Sequence, residues 1–451
     1  MRRFLRPLLP LGAVVALAAP VGAEPVRLTP DNMVQLTLLL LEHHRPAEAL
    51  RFSQAMLDHD PQDVTALVLK SRAERDLGRY RAATATGRLA WRHAEGGGER
   101  YGAALAIAQG LSSDGQKFRA QFWLRRAMQE APDPAARAAA ERDFRYVRAR
   151  SRLSLRFDLS VRPSSNVNGG SAADFIDFYG IPLTLSPDAK ALSGVQGQAS
   201  VTARWRTAES ETAKTDLRFG WVEQQVALSG TARREAPMAR GSDYAYAALE
   251  LGVDQAWKLA GGEATASATL GHNWYGGADM SDYARLDLGF SHGLGAGMAG
   301  NLGLSVERQD RLDVARRSAT ITELSAGAQK ILPGRDQLRF QLTARDSRSD
   351  AAEIDHTALA ADLGWSRAAP VLGAGLDLGL TAEARDYPRS LYDPDGREDM
   401  RLSARVSLTL DKIDYMGFVP VVSLQAQKVN SNVSIYRMNS VGIGVSVRSR
   451  F

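Results

Sequence analysis

The chain has 451 residues, 44% hydrophobic and 24% charged, with 40 glycines and no cysteine. Without cysteine there is no disulfide scaffold, cysteine zinc site or thiol nucleophile. Past the N-terminus no run of about 18 apolar residues occurs, which excludes a helical membrane protein. The formal charge of +5 comes from 56 basic against 51 acidic residues spread along the chain, so no basic patch argues for nucleic acid.

Residues 1–23 read as a secretory signal peptide. Arg2, Arg3 and Arg6 form a positive start, Leu8 to Ala19 is apolar, and Val21-Gly22-Ala23 supplies small residues before a cleavage point. The mature chain is therefore expected beyond the inner membrane.

Residues 24–150 show helical spacing and abundant alanine. Thr29-Pro30 suits an N-cap followed by proline in the first turn. Arg45-Pro46 with Ala49 recurs 34 residues later as Arg79-Tyr80 with Ala83, and Leu77-Gly78-Arg79-Tyr80-x-x-Ala83 has the form of a tetratricopeptide turn. Asp60-Pro61 ends the helix after the first turn. A third, looser unit places Gly115 and Phe118 at its turn and Pro132 at its end, its register offset by Gly96-Gly97-Gly98. Such stacks present a concave surface to a partner. Phe122 and Trp123 are assigned to the core, and His43, His44, His59 and His93 to the surface.

At Arg152 the period changes from helical to two. Leu153, Leu155, Phe157, Leu159 and Val161 alternate with Arg152, Ser154, Arg156, Asp158, Ser160 and Arg162. The pattern returns in about fourteen segments up to Val441, Ile443, Val445 and Val447. A tilted membrane strand needs about 9–11 residues, and an even count is that of bacterial outer-membrane barrels. Long connections (about 163–197, 223–242, 386–398 and 430–438) follow odd strands. Short ones (258–262, 332–334 and 411–417) follow even strands. That sorting predicts external loops at one end and periplasmic turns at the other, with both barrel ends and the helical repeat in the periplasm. Trp205, Trp274, Tyr275, Trp365 and Phe418 are candidates for the interfacial girdles. Phe451 supplies the terminal aromatic residue that insertion machinery reads.

The expected fold is thus α + β and multidomain: a signal peptide (1–23), a periplasmic helical repeat (24–150) and an antiparallel transmembrane β-barrel of about 14 strands (151–451). Enzyme signatures fail. Gly289-Phe290-Ser291-His292-Gly293 has the letters of a nucleophile elbow, and Gly295 to Gly300 those of a dinucleotide loop. Neither is followed by the helix its chemistry requires. No catalytic, cofactor-binding or metal-binding residue is assigned, no cofactor is expected, and lumenal Asp and Arg are read as ordinary lining. The long loop from Ser164 to Gly194 is the segment expected to fold into or over the pore, and Ser164, Asn166 and Asn168 are its candidate functional residues.

The order of signal peptide, short repeat and barrel resembles the surface lipoprotein assembly modifier (Slam) family. The segment Arg162-Pro163-Ser164-Ser165-Asn166-Val167-Asn168-Gly169 and the final strand led by Arg437-x-Asn439 carry the resemblance in detail. It implies an outer-membrane factor, not an enzyme, that helps surface lipoproteins or secreted proteins reach the cell surface. The implied partners are the client, periplasmic chaperones, the barrel insertion machinery and outer-membrane lipid. The alternatives are a passive porin, an exopolysaccharide export barrel and a barrel phospholipase resting on Ser291 and His292.

Overall fold

The structure is a computed structural model that describes residues 28–178 and 181–450. The signal peptide and Phe451 lie outside the described residues. Seven helices come first: α1 (Pro30–Glu42), α2 (Pro46–His59), α3 (Val64–Asp76), α4 (Tyr80–His93), α5 (Gly97–Ser113), α6 (Lys117–Glu130) and α7 (Pro134–Ala149). Thr29 caps α1 by accepting a bond from the Asn32 amide at 3.3 Å, with Pro30 in the first turn. The helices pair antiparallel across three turns in which His44, Gly78 and Gly115 adopt positive φ. The first two of these lie 34 residues apart. The third is three residues later than that spacing, the slack absorbed at Gly96–Gly98.

Small residues set how closely the helices cross. Ala83 is fully buried, and its carbonyl accepts from the Ser71 hydroxyl at 2.8 Å. At the α4–α5 crossing, a Cβ on Gly110 would stand 2.8 Å from Thr84 Oγ1, and one on Gly87 would stand 3.0 Å from Ile107 Cγ1. Two apolar clusters result, one around Leu41, Leu57 and Leu67 and one around Ile107, Leu124 and Phe144.

The barrel begins at β1 (Leu153–Ser164). A small hairpin of β2 (Phe175–Phe178) and β3 (Ile181–Thr184) lies within the first loop. Then follow β4 (Gly194–Glu209), β5 (Ala213–Leu228), a one-turn helix α8 (Gly230–Glu235), β6 (Tyr246–Leu259), β7 (Gly262–Tyr275), β8 (Ala278–Gly295) and β9 (Met298–Arg311). The second half contains β10 (Ala319–Ile331), β11 (Gln337–Ser349), β12 (His356–Ser366), β13 (Gly375–Tyr387), β14 (Arg397–Thr409), β15 (Phe418–Ser431) and β16 (Met438–Ser449). The fourteen long strands form one closed antiparallel barrel in chain order, sealed where β1 meets β16. Closure gives every strand a partner on both sides, which lipid demands because no water is present to satisfy an open edge. Along the seam β1 pairs with β4 from Leu153 to Ser164, but with β16 only from Leu159 to Ser164.

The period-two alternation puts leucines outside and charges inside. Leu286, Leu302, Leu324 and Leu359 are each more than half exposed on the outer surface, an apolar band that water would not tolerate and a hydrocarbon layer solvates. The barrel therefore resides in the outer membrane. Trp205, Trp257, Trp365 and Phe418 stand near the turns of one rim, as an interfacial girdle requires.

The connections are sorted less cleanly than the sequence suggested. At one rim they span 165–193, 229–245, 312–318, 350–355, 388–396 and 432–437, but β7 and β8 are joined there by Gly276-Gly277 alone. Both glycines have positive φ, the requirement of a two-residue hairpin turn. At the other rim, turns of two to five residues sit beside two of eight, 367–374 and 410–417. The helices join this second rim.

Candidate functional site: the lumen and its capping loop

The inward residues of neighbouring strands meet because antiparallel registry places them side by side. On β10 to β14, Glu383 is ringed by Arg385, Arg401 and Arg345 at 2.8, 3.4 and 3.8 Å, and Arg345 also holds Glu323 at 2.6 Å. On β5 to β9 the balance tips the other way. Glu250 accepts from Arg218 at 2.9 Å and from the Tyr283 hydroxyl at 2.6 Å, while Arg285 faces Glu307 and Asp287, each at 3.3 Å. Tyr283 lies where a Cβ on Gly271 would be, 2.2 Å from its Cζ, so the glycine makes room for the ring. The lumen thus has a cationic wall facing a more acidic one.

Beside the cationic wall, between it and β1, β4 and β16, a cavity of about 720 Å³ is lined by Arg162, Gln196, Glu383, Arg401, Arg405 and Gln425, among others. It adjoins a second cavity of about 330 Å³, and Arg162 and Arg405 line both. Arg162 donates to Gln425 at 2.6 Å and to Gln196 at 3.0 Å, both neutral amides. Neither Arg162 nor Arg405 has a carboxylate ion-pair partner among the described residues, which leaves two guanidinium charges at the junction unneutralised.

The first loop covers this cavity from the long-loop rim. Val167 and Leu192 pack with Leu228, Ala232 and Ala236 of the next loop. On the other side Ile176 and Leu185 pack with Val433, so the loop bridges connections that lie far apart in the chain. The three candidate residues fasten it. Ser164 Oγ lies 3.2 Å from Ser440 Oγ on β16. Asn166 Nδ2 donates to the Gly170 carbonyl at 2.8 Å, and its Oδ1 accepts from the Gly170 amide at 3.0 Å. Asn168 donates to the carbonyls of Asp188 and Lys190 and accepts from the amide of Leu192 at 2.9 Å. Ser164 and Asn166 also line the cavity. Lys190, at 2.8 Å, holds the Asp174 carboxyl below its usual range.

Three sequence expectations change. Phe122 is half exposed on α6, whereas Trp123 is half-buried against Trp91 with ring centroids 5.3 Å apart. Phe122 meets the edge of the Trp123 ring at 5.9 Å but leaves its own outer side open. Ser291 and His292, on which the phospholipase alternative rested, are successive residues of β8 and point to opposite faces of the sheet. The lumenal arginine–glutamate network was read only as lining. Its signal is the alternation of charged residues at inward positions, but strand registry, absent from the sequence, is what assembles it.

On the opposite rim, α3, α5 and α7 border a groove of about 230 Å³ with Arg75, Gln109, Asp143 and Tyr146 along it. Burial raises the Asp143 carboxyl above the ordinary range, opposed by Arg142 and Arg75.

A closed barrel, greasy outside and charged inside, with helix pairs on its short-turn rim, defines an outer-membrane β-barrel protein with a helical extension. Residues 337–451, which span β11 to β16, match the surface lipoprotein assembly modifier (SlipAM) family, in agreement with the resemblance read from the sequence. No curated protein matches the chain. Among solved structures, the outer-membrane channel DcaP of Acinetobacter baumannii is similar at 10% identity and a TM-score of 0.39, over 65% of this chain and 96% of that one. A BenF-like porin from Pseudomonas fluorescens Pf-5 is similar at 9% identity and a TM-score of 0.36, over 65% and 98%. An anion-selective porin from Comamonas acidovorans is similar at 11% identity and a TM-score of 0.35, over 66% and 99%.

Proposed function

We propose that this protein helps client proteins, surface lipoproteins or secreted polypeptides, to cross the outer membrane, and that it does so without enzymatic chemistry. The observation that carries this reading is the family match over the last six of the fourteen barrel strands. The lumen supports it. A charged, hydrogen-bonding wall offers an extended polypeptide replacement partners for its backbone and side chains. In this reading the helical repeat receives the client, or a chaperone carrying it, along the groove of α3, α5 and α7. The first loop acts as the outer gate, hinged beside Ser164 and latched by Asn166 and Asn168. The energy comes from folding of the client outside or from other machinery.

The test is deletion of residues 24–150 behind an intact signal peptide, with client exposure read by protease shaving of whole cells. Exposure is expected to fall at least tenfold while the barrel still inserts. Unchanged exposure would remove the helices from the mechanism.

A further inference from the structure

The helices are not simply hung below the barrel; α6 is fastened to its outer wall. Arg125 lies between the rings of Phe144 on α7 and Phe418 on β15, 4.8 and 4.5 Å from their centroids. It also donates to the Met416 carbonyl at 2.8 Å and to Ser449 Oγ at 2.9 Å. Gln129 accepts from the Met416 amide at 2.9 Å, and Arg137 on α7 meets Asp414 at 2.8 Å. Phe418 and Ser449 face each other across β15 and β16. They stand in the same alternation as Leu424, Val441, Ile443, Val445 and Val447, all well exposed on the outer surface. The guanidinium therefore grips the lipid-facing side of the barrel at the rim girdle. Burial lowers Arg125 to about 10, so it remains charged at neutral pH.

Phe118, Phe122, Arg125 and Gln129 are spaced i, i+4, i+7 and i+11, which puts them on one stripe of α6. Arg125 and Gln129 end that stripe on the barrel wall. Phe118 and Phe122, 41% and 51% exposed, continue it toward the start of α6, where Lys117 donates to the Arg150 carbonyl just ahead of β1 at 3.1 Å. Lys117, Arg119 and Arg126 flank them on α6, and α4, whose Trp91 packs on Trp123, carries the exposed Arg88 and Arg92. Neither α4 nor α6 carries an acidic residue before Glu130. Arg126 lies over the rings of Trp91, Phe122 and Trp123 at 5.1 to 5.7 Å. Exposed aromatic rings flanked by arginine and lysine are the composition of a helix lying in the headgroup layer.

We infer that the Phe118–Phe122 stripe of α6 is seated in the periplasmic phospholipid leaflet of the outer membrane. What lies beside a barrel's outer wall at girdle height is lipid, and Phe118 and Phe122 share one face of α6 with the residues that grip that wall. The basic border meets the lipid phosphates while the two rings enter the acyl boundary. Docked this way, the helical repeat is held at two points, the Arg125 clamp and the leaflet. The groove of α3, α5 and α7 is formed by the helices that alternate with α4 and α6, so it stays open to the periplasm.

The absence of native cysteine makes the test direct. Full-length protein carrying a nitroxide at Phe118→Cys or Phe122→Cys is reconstituted into phosphatidylethanolamine–phosphatidylglycerol vesicles. Accessibility to oxygen and to an aqueous nickel chelate is then read by power saturation. Both sites are expected to favour oxygen severalfold relative to a label at the exposed Glu99→Cys on α5. A label at Gln121→Cys, which leaves both rings in place, should report the same preference. Nickel access equal to that at position 99 would put the stripe in water. Low access to both reagents would mean that protein covers it. Either result overturns the inference.

Discussion

At the residue scale, small side chains decide the helical packing and amide side chains decide the loop. Gly110→Val tests the first. The added methyl groups gain a few tenths of a kcal/mol in helix propensity but drive a Cβ to 2.8 Å from Thr84 Oγ1. Overpacking of this kind costs about 1–3 kcal/mol, so it wins. Thermal unfolding followed by circular dichroism should show the helical transition lowered by several degrees while the barrel transition stays put. Asn168→Ala tests the second. It strands the Leu192 amide and two loop carbonyls, a loss of about 1–3 kcal/mol if they stay dry. The first loop should then leave the mouth more often, seen as more frequent current steps in planar-bilayer recordings. A trace as quiet as that of the unaltered protein would mean that other contacts hold the loop.

At the scale of elements, what was legible in the sequence depended on period. Turns at positive φ announce themselves by glycine, and Gly78 and Gly115 mark the helix pairs. His44 fills the same position without that signal, and was read only as a surface residue; what marks its turn is the recurrence of Arg45-Pro46 and Ala49 as Arg79-Tyr80 and Ala83. Strands read well wherever leucines alternate with charges, as in β1, β8 and β14. Loop sorting read less well, because length is set locally by turn chemistry. Gly276-Gly277 closes a two-residue hairpin among long loops, and Asp411 to Gly417 belongs to an eight-residue turn needed to meet α6. The contact between Arg125 and that turn joins residues almost 300 positions apart, and no periodicity announces such a meeting. Arg125→Ala should loosen the helices from the barrel without unfolding either. Proteolysis between Ala149 and Leu153 in reconstituted protein is expected to speed up severalfold. An unchanged rate would show that the Arg137–Asp414 pair suffices.

At the scale of the molecule, the candidate site was legible only in outline. The loop after β1 stands out in the sequence by its length and composition, and Ser164, Asn166 and Asn168 hydrogen-bond within it or to β16. The opposed charged walls of the lumen needed strand registry, which brings Glu383 within reach of three arginines from β11, β13 and β14. Position in the membrane follows from closure and from the exposed leucine band together: either alone is compatible with a water-soluble protein, but both at once require lipid. The account as a whole stands on that conjunction. The most direct measurement is electrophoresis of detergent-extracted protein with and without boiling. A closed, hydrogen-bonded barrel resists the denaturing detergent when cold, so the unboiled chain should run as a compact, fast band and shift on boiling to the slower position of the unfolded mature chain, somewhat below the 48.9 kDa of the full sequence. A single band unaffected by heating, from protein that stays dissolved and monomeric with no detergent present, would contradict it.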